Sequence, residues 1–74
     1  MGEFSLWINV IGGGEGERPL VNSESPQDII DAVNETADEV DNDENKYYEL
    51  NTPDNWCYTF PTSAEIIKKV GRYI

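Results

Sequence analysis

The sequence predicts an α+β fold of order β-β-α-β-β-α, with a mostly antiparallel sheet that carries two helices on one face. Apolar residues alternate with a period of two near the start of the chain and again within residues 46–60, as in half-buried strands. They recur at helical spacing within residues 26–40 and 62–73. The length of 74 residues suffices for one small core. We therefore expect residues 1–74 to form one acidic domain with little room for a deep active site.

A first strand is predicted from Glu3 to Ile11, with one wholly apolar face made of Phe4, Leu6, Ile8 and Val10. The other face holds Ser5, Trp7, Asn9 and Ile11. A short second strand follows at Arg18–Asn22, and its Pro19 suits the edge of a sheet. The two strands are therefore expected to form a hairpin.

The loop between these strands, Gly12–Glu17, is rich in glycine and raises the question of a nucleotide site. Neither the G-x-G-x-x-G nor the G-x-x-x-x-G-K-[ST] pattern is completed in this loop. Its two glutamates would also face the phosphates of a nucleotide. An extended segment follows the loop, where a phosphate site needs the N-terminus of a helix. The loop is thus predicted to be a hairpin turn with glycines at positive φ.

The first helix is predicted from Pro26 to about Val40. Ser25 is a suitable N-cap, Pro26 suits the first helical position, and Asp28 completes an S-x-x-D start. The second helix follows Thr62 and Glu65, which have the spacing of a capping box. Its apolar residues at helical spacing are Ile66, Ile67, Val70 and Tyr73.

Between the helices, Lys46–Asn51 and Asn55–Phe60 predict a second hairpin around the turn sequence TPDN. Alternation places Trp56, Tyr58 and Phe60 on one face of the last strand. This aromatic face is expected to belong to the core.

The charge of the chain limits its function. It has 15 Asp and Glu against 5 Lys and Arg, no His, a formal net charge of -10 and a pI of about 4.1. Nucleic-acid phosphates and anionic membranes are bound by clustered Lys and Arg, so direct contact with either is not expected. An acidic field instead favours capture of a basic protein surface. The single cysteine, Cys57, fits either a reducing cytoplasm or an absence of selection for disulfides, and no apolar run is long enough to span a membrane.

Neither a metal site nor a catalytic site is predicted. Positions 1, 3, 5 and 9 of a calcium-loop pattern hold Asp41, Asp43, Asn45 and Glu49. Lys46 and Thr52 occupy the positions that require glycine and a bidentate glutamate. The chain also lacks histidine and any nucleophile with an evident activating base, so we expect neither an enzyme nor a bound cofactor.

The first helix has an unusual acidic face, which helical spacing predicts from Asp28, Asp31, Glu35, Asp38 and Glu39. The opposite face is apolar. From Pro19 to Asn45 the chain has nine acids and no Lys or Arg, although like-charged neighbours destabilise a helix. The stripe is ~16 Å long, comparable to about five phosphates along one DNA strand. It is interpreted either as a site for a basic partner surface or as a solvated face.

A second candidate surface is the sheet face away from the predicted core, which carries Trp7, Ile11, Tyr47 and Cys57. It forms either a small second core under a loop or an exposed contact surface. Trp7 and Tyr47 are residue types that often anchor interfaces, and they could serve a partner or a homodimer.

We therefore expect a non-catalytic inhibitory protein whose acidic surface occupies a basic site on a partner, for example one that binds nucleic acid. In size and charge the chain resembles small acidic phage or mobile-element proteins that antagonise restriction, CRISPR or other host defences. The resemblance is one of composition and covers no motif. The alternative is a structural or regulatory interaction module that uses the aromatic sheet face, with the acids serving only solubility.

Overall fold

Four strands and two helices follow one another in the order β-β-α-β-β-α in a computed structural model that describes residues 2–74. The strands are β1 (Phe4–Val10), β2 (Arg18–Ser23), β3 (Lys46–Asn51) and β4 (Cys57–Phe60). The helices are α1 (Pro26–Asp41) and α2 (Ser63–Val70), and one turn of 3-10 helix, Gly71–Tyr73, follows α2. This order confirms the predicted α+β class.

The strands form one sheet in the order β2-β1-β3-β4, and each neighbouring pair is antiparallel. The glycine loop joins β1 to β2 as a hairpin, whereas α1 carries the chain from β2 across β1 to β3. The β1 and β2 pairing is irregular, because Leu6 pairs with Val21 but Trp7 pairs with Pro19. The two strands with one free edge are β2 and β4.

The core lies between the two helices and one face of the sheet, which confirms that both helices pack on the same side. The sheet contributes Phe4, Leu6, Ile8, Tyr48 and Leu50. The helices contribute Ile29, Val33, Val40, Ile66 and Val70. Each of these ten residues is at most 3% exposed. The alternating pattern of β1 and the helical pattern of α1 thus meet in a single cluster.

The Tyr48 hydroxyl provides a polar link within this core. It donates to the Val33 carbonyl oxygen at 3.2 Å and shares a 2.8 Å hydrogen bond with Thr36 Oγ1. Burial raises the pKa of Tyr48 above its ordinary value. These bonds fix α1 over β3 while leaving no buried side-chain polar atom of residues 2–74 without a partner.

The prediction that Trp56 belongs to the core is wrong. Strand β4 begins only at Cys57, and the Trp56 side chain is 60% exposed. Tyr58 and Phe60 lie on the core side but are only half-buried. The physical reason is that Trp56 lies in the turn segment before β4, at the edge of the sheet, and so falls outside the paired strand on which α2 packs. Val10, also predicted to be in the core, is half-buried at the end of β1.

The two helix starts differ. Thr62 caps α2 as predicted, with its side chain accepting a hydrogen bond of 3.4 Å from the Glu65 backbone N–H. Ser25 stands at the N-cap of α1, but its side chain makes no capping bond. Ser23 Oγ instead accepts from the Ser25 N–H at 3.0 Å and donates to Asp28 at 2.7 Å, which links the N-cap residue to the first turn of α1. The predicted S-x-x-D arrangement is therefore corrected to a contact that begins at Ser23.

The two caps generate a paired prediction. Replacing Thr62 by Ala should destabilise the protein by about 0.5–1 kcal/mol, because an N–H of the first turn of α2 loses its acceptor. The matched change Ser25→Ala should have a smaller effect, since the Ser25 side chain caps nothing. Urea denaturation of both variants measures this difference, and equal losses would contradict the assignment.

Candidate functional site: an acidic helix face

Four of the five predicted acidic residues of α1 form an exposed row. Asp28, Asp31, Glu35 and Asp38 are exposed and succeed one another at intervals of three or four residues. Side chains at these intervals lie on one face of a helix. The buried side of α1 holds Ile29, Val33 and Val40, so the core fixes which way the row points. We call these four residues the acidic row.

No carboxylate of the acidic row takes part in a salt bridge within residues 2–74. Two accept local hydrogen bonds: Asp28 from Ser23 Oγ at 2.7 Å, and Asp31 from Gln27 Nε2 at 3.0 Å. Asp28 lies in the first turn of α1, where the helix dipole favours a negative charge. The last turn of α1 contains no basic residue to offset the acids there.

Glu39 does not belong to this row, which corrects the prediction that it lies on the acidic face. Its carboxylate accepts two hydrogen bonds from the Arg18 guanidinium, at 2.7 and 2.8 Å, and one from Lys46 Nζ at 3.0 Å. The Glu39 side chain is 29% exposed. Glu39 therefore holds the start of β2 and the start of β3 against α1.

The electrostatics of this cluster follow from its geometry. The hydrogen bonds from Arg18 and then Lys46 lower the pKa of Glu39 from 4.5 to about 2. The same contact raises the pKa of Arg18. Arg18 also donates to the Gly16 carbonyl oxygen at 2.9 Å, which ties the glycine loop to the cluster. A Cβ at Gly16 would come within 3.2 Å of Lys46 Nζ, so a larger residue would disturb the ion pair.

The glycine loop has the geometry of a hairpin turn, as predicted. Its four glycines, Gly12, Gly13, Gly14 and Gly16, have φ values between 77° and 124°. These values are accessible to glycine but strained for other residues. Strand β2 follows directly, so the loop leads into no helix N-terminus that could bind a phosphate.

The residues of the calcium-loop pattern are separated by the fold. Asp41 accepts hydrogen bonds from the Ser63 N–H at 2.8 Å and its hydroxyl at 2.6 Å, so it supports the start of α2. Asp43 accepts from the Asn45 N–H within the turn before β3. Glu49 lies on the outer face of the sheet, opposite Trp7. Within residues 2–74 no three His, Cys, Asp or Glu side chains form a group that could hold a metal ion.

The outer face of the sheet carries Trp7 and Tyr47, both half-buried, and both helices pack on the opposite face. Between them lies Glu49, whose carboxylate accepts from Asn9 Nδ2 at 2.8 Å and Asn51 Nδ2 at 3.2 Å. The face is therefore an aromatic surface with a charged, hydrogen-bonded centre. The structure does not bring it together with the acidic row, because the sheet and its core separate the two.

Sequence reasoning missed the roles of Arg18 and Lys46, which lie 21 and 7 positions from Glu39. No local pattern signals such a cluster, because its members come from three different elements.

Neither helix of residues 2–74 has the length and apolarity needed to cross a bilayer. Comparison of the chain with protein-family models, with curated proteins and with solved structures gives no match.

The Glu39 cluster predicts a defined pH dependence. A folded-state pKa of about 2, below the ordinary 4.5, stabilises the protein above pH 4.5, and this contribution is lost as the pH falls toward 2. The change Glu39→Gln should remove it, with a loss of at most about 1 kcal/mol at pH 7 because the pair is open to solvent. Urea denaturation across pH 2–7 would measure the difference in free energy of unfolding between wild type and variant. A difference that does not shrink at low pH would contradict the cluster's role.

Proposed function

We propose that this protein is a non-catalytic inhibitor whose acidic row occupies a basic, nucleic-acid-binding surface on a partner protein. The observation that carries the proposal is the presence of four exposed carboxylates on one helix face without a salt bridge among the described residues. A solvated helix face needs no such one-sided pattern, which destabilises the helix through like-charge repulsion.

The length of the acidic row suits a surface that binds a phosphate backbone. From Asp28 to Asp38 the row is ~15 Å long at 1.5 Å per residue, which matches four or five phosphates at ~3.4 Å along one strand. The row also lies on a helix whose other face is packed in the core. A rigid array of charges binds with less loss of conformational entropy than a flexible acidic tail.

The distribution of cations supports the same proposal. Arg18 and Lys46 are both bound to Glu39. The other three basic residues, Lys68, Lys69 and Arg72, come from α2 and the turn after it. None of the five forms a salt bridge with the acidic row. With a net charge of -10, the molecule should be steered rapidly to a basic partner surface.

The setting that we propose is the cytoplasm of a cell whose defence or nucleic-acid-processing protein is the target, as for phage-type antagonists. This part of the proposal depends on size, charge and the single cysteine. The partner would be captured through protein contacts alone, without direct binding of nucleic acid by this chain.

A double charge reversal tests the acidic row. Asp31→Lys with Glu35→Lys should leave the fold intact, since both side chains are exposed, and should relieve repulsion within α1. Affinity for the partner should fall at least tenfold, and wild-type binding should weaken steeply as salt increases. The partner is first isolated by pull-down from host lysate, then titrated by calorimetry at several ionic strengths, with duplex DNA as a competitor.

The matched control is Glu3→Lys with Glu15→Lys, which changes the net charge equally at exposed positions outside α1. It should retain most of the affinity. Equal losses from both double variants would show that only net charge matters, whereas a salt-insensitive complex that tolerates the α1 reversal would exclude the acidic row as the site.

A second candidate function is a structural or regulatory contact through the outer face of the sheet. The observation that favours it is that both helices leave this face free while Trp7 and Tyr47 lie on it. A second copy of the chain fits the outer face less well than a different protein does. In a two-fold contact the central Glu49 of each copy would approach the other, and like charges in a contact are destabilising.

This alternative makes its own prediction. If the outer face makes the contact, Trp7→Ala should weaken partner binding by about 2 kcal/mol or more, as for an interface hot spot, while the α1 reversal changes little. Trp56→Ala, which removes the same side chain from a different surface, is the control. The same calorimetric titrations provide the measurement, and retention of full affinity by Trp7→Ala would exclude this face.

A further inference from the structure

The two edges of the sheet differ in how well they are protected. On β2, Pro19 has no N–H to offer a further strand, and the pairing of β2 with β1 is irregular at this point. Strand β4, Cys57–Phe60, contains neither proline nor a charged residue. Proteins commonly protect sheet edges with such residues, so β4 is the edge that remains open to pairing.

An aromatic row runs along this open edge on the helix side. The rings of Trp56 and Tyr58 are 6.4 Å apart and those of Tyr58 and Phe60 are 6.2 Å apart, with planes inclined by about 30° in both pairs. Lys69 Nζ lies 4.3 Å from the centre of the Tyr58 ring. Trp56 is 60% exposed, which is unusual for the largest side chain in a small protein.

We propose that β4 pairs antiparallel with β4 of a second copy of this chain, which joins the two sheets edge to edge. Residues that lie opposite one another in an antiparallel pair have their side chains on the same face of the sheet. A two-fold axis perpendicular to the sheet must therefore pass between one residue and the same residue of the second copy. An axis at Tyr58 places Trp56 opposite Phe60 of the second copy and Tyr58 opposite its counterpart. The aromatic row is thus complementary to itself.

The alternative axis, at Thr59, is disfavoured. It would place Cys57 opposite Pro61, which has no N–H, and would leave Trp56 beyond the paired residues. The register centred on Tyr58 instead pairs all three aromatic residues of each copy. Aromatic pairs directly opposite one another are among the stabilising cross-strand contacts.

An axis at Tyr58 brings Lys69 of each copy, whose Nζ lies 4.3 Å from its own Tyr58 ring, toward the other, so local as well as net charge opposes the contact and makes it depend on salt. Every Lys or Arg outside the Glu39 cluster, namely Lys68, Lys69 and Arg72, comes from α2 and the turn after it, and α2 packs against β4. The acidic row, in contrast, lies on α1. Two molecules of charge -10 still repel each other, so added salt should strengthen the dimer.

The dimer is expected to be weak, because a four-residue edge buries less than the ~1,200–2,000 Å² of a standard interface. We therefore expect self-association to become measurable only at high protein concentration. The inference is independent of the proposed function, since the paired edge leaves the acidic row exposed. Self-association and partner binding also respond to salt in opposite directions, because salt strengthens the dimer and weakens binding to a basic partner.

Sedimentation equilibrium of the wild type up to ~2 mM, at low and moderate salt, tests the contact. The expected result is a monomer–dimer equilibrium that salt shifts toward the dimer. Trp56→Ala should weaken self-association at least fivefold, whereas Trp7→Ala, on the outer face, should not. Both substitutions remove a partly exposed side chain, and thermal denaturation verifies that each variant is folded.

A cysteine substitution tests the register. In the proposed dimer Thr59→Cys lies directly opposite Cys57 of the second copy, at ~4.5–5.5 Å between Cα atoms, within the range for a disulfide. Two native Cys57 residues would lie beyond the ~7 Å limit. Mild oxidation should therefore give a covalent dimer for Thr59→Cys. Wild type and Asn22→Cys, on the outer face of β2, should not form one.

Each contrary result overturns the proposal. A wild type that stays monomeric at both salt concentrations excludes the dimer. Self-association that Trp7→Ala abolishes and Trp56→Ala leaves unchanged assigns it to the outer face. Covalent dimers that form equally well from wild type and Thr59→Cys exclude the register.

Discussion

Burial of one face of a four-stranded sheet beneath two helices is the constraint on which the rest of the structure depends. Ten buried residues make up this core, whereas Ile11 and Trp56 remain mostly exposed outside it. Both helices pack on this one face, and neither lies on the outer face of the sheet. The exposed surfaces of the molecule are therefore consequences of how its small core was assembled.

The placement of charge follows from the same constraint. Because Ile29, Val33 and Val40 face the core, the acids between them must face outward, and the core packing holds them in a fixed array. Glu39 lies at the border of that array and meets Arg18 and Lys46. The cluster stabilises the contact between strands and helix, and it also removes two of the five cations from the free surface. Within residues 2–74 the acidic row is left without a salt bridge.

The surfaces that remain are suited to different kinds of contact. The acidic row is rigid and strongly charged, which favours long-range steering and makes binding depend on salt. The outer face combines Trp7 and Tyr47 with a hydrogen-bonded carboxylate. The edge of β4 offers backbone groups and an aromatic row. A small domain can thus present separate sites for a partner and for a second copy, because its only packed face is used by the core.

The sequence by itself determined the order of elements, the core faces of β1 and α1, the hairpin at the glycine loop and four residues of the acidic row. These features depend on local periodicity, caps and turn residues, which act within a few positions. Only the tertiary structure decided that Glu39 is paired and that Trp56 is exposed. Both depend on which elements become neighbours: Arg18 is 21 positions from Glu39, and the cover over β4 depends on where the short α2 comes to lie. Long-range contacts of this kind leave no periodic signal in the chain.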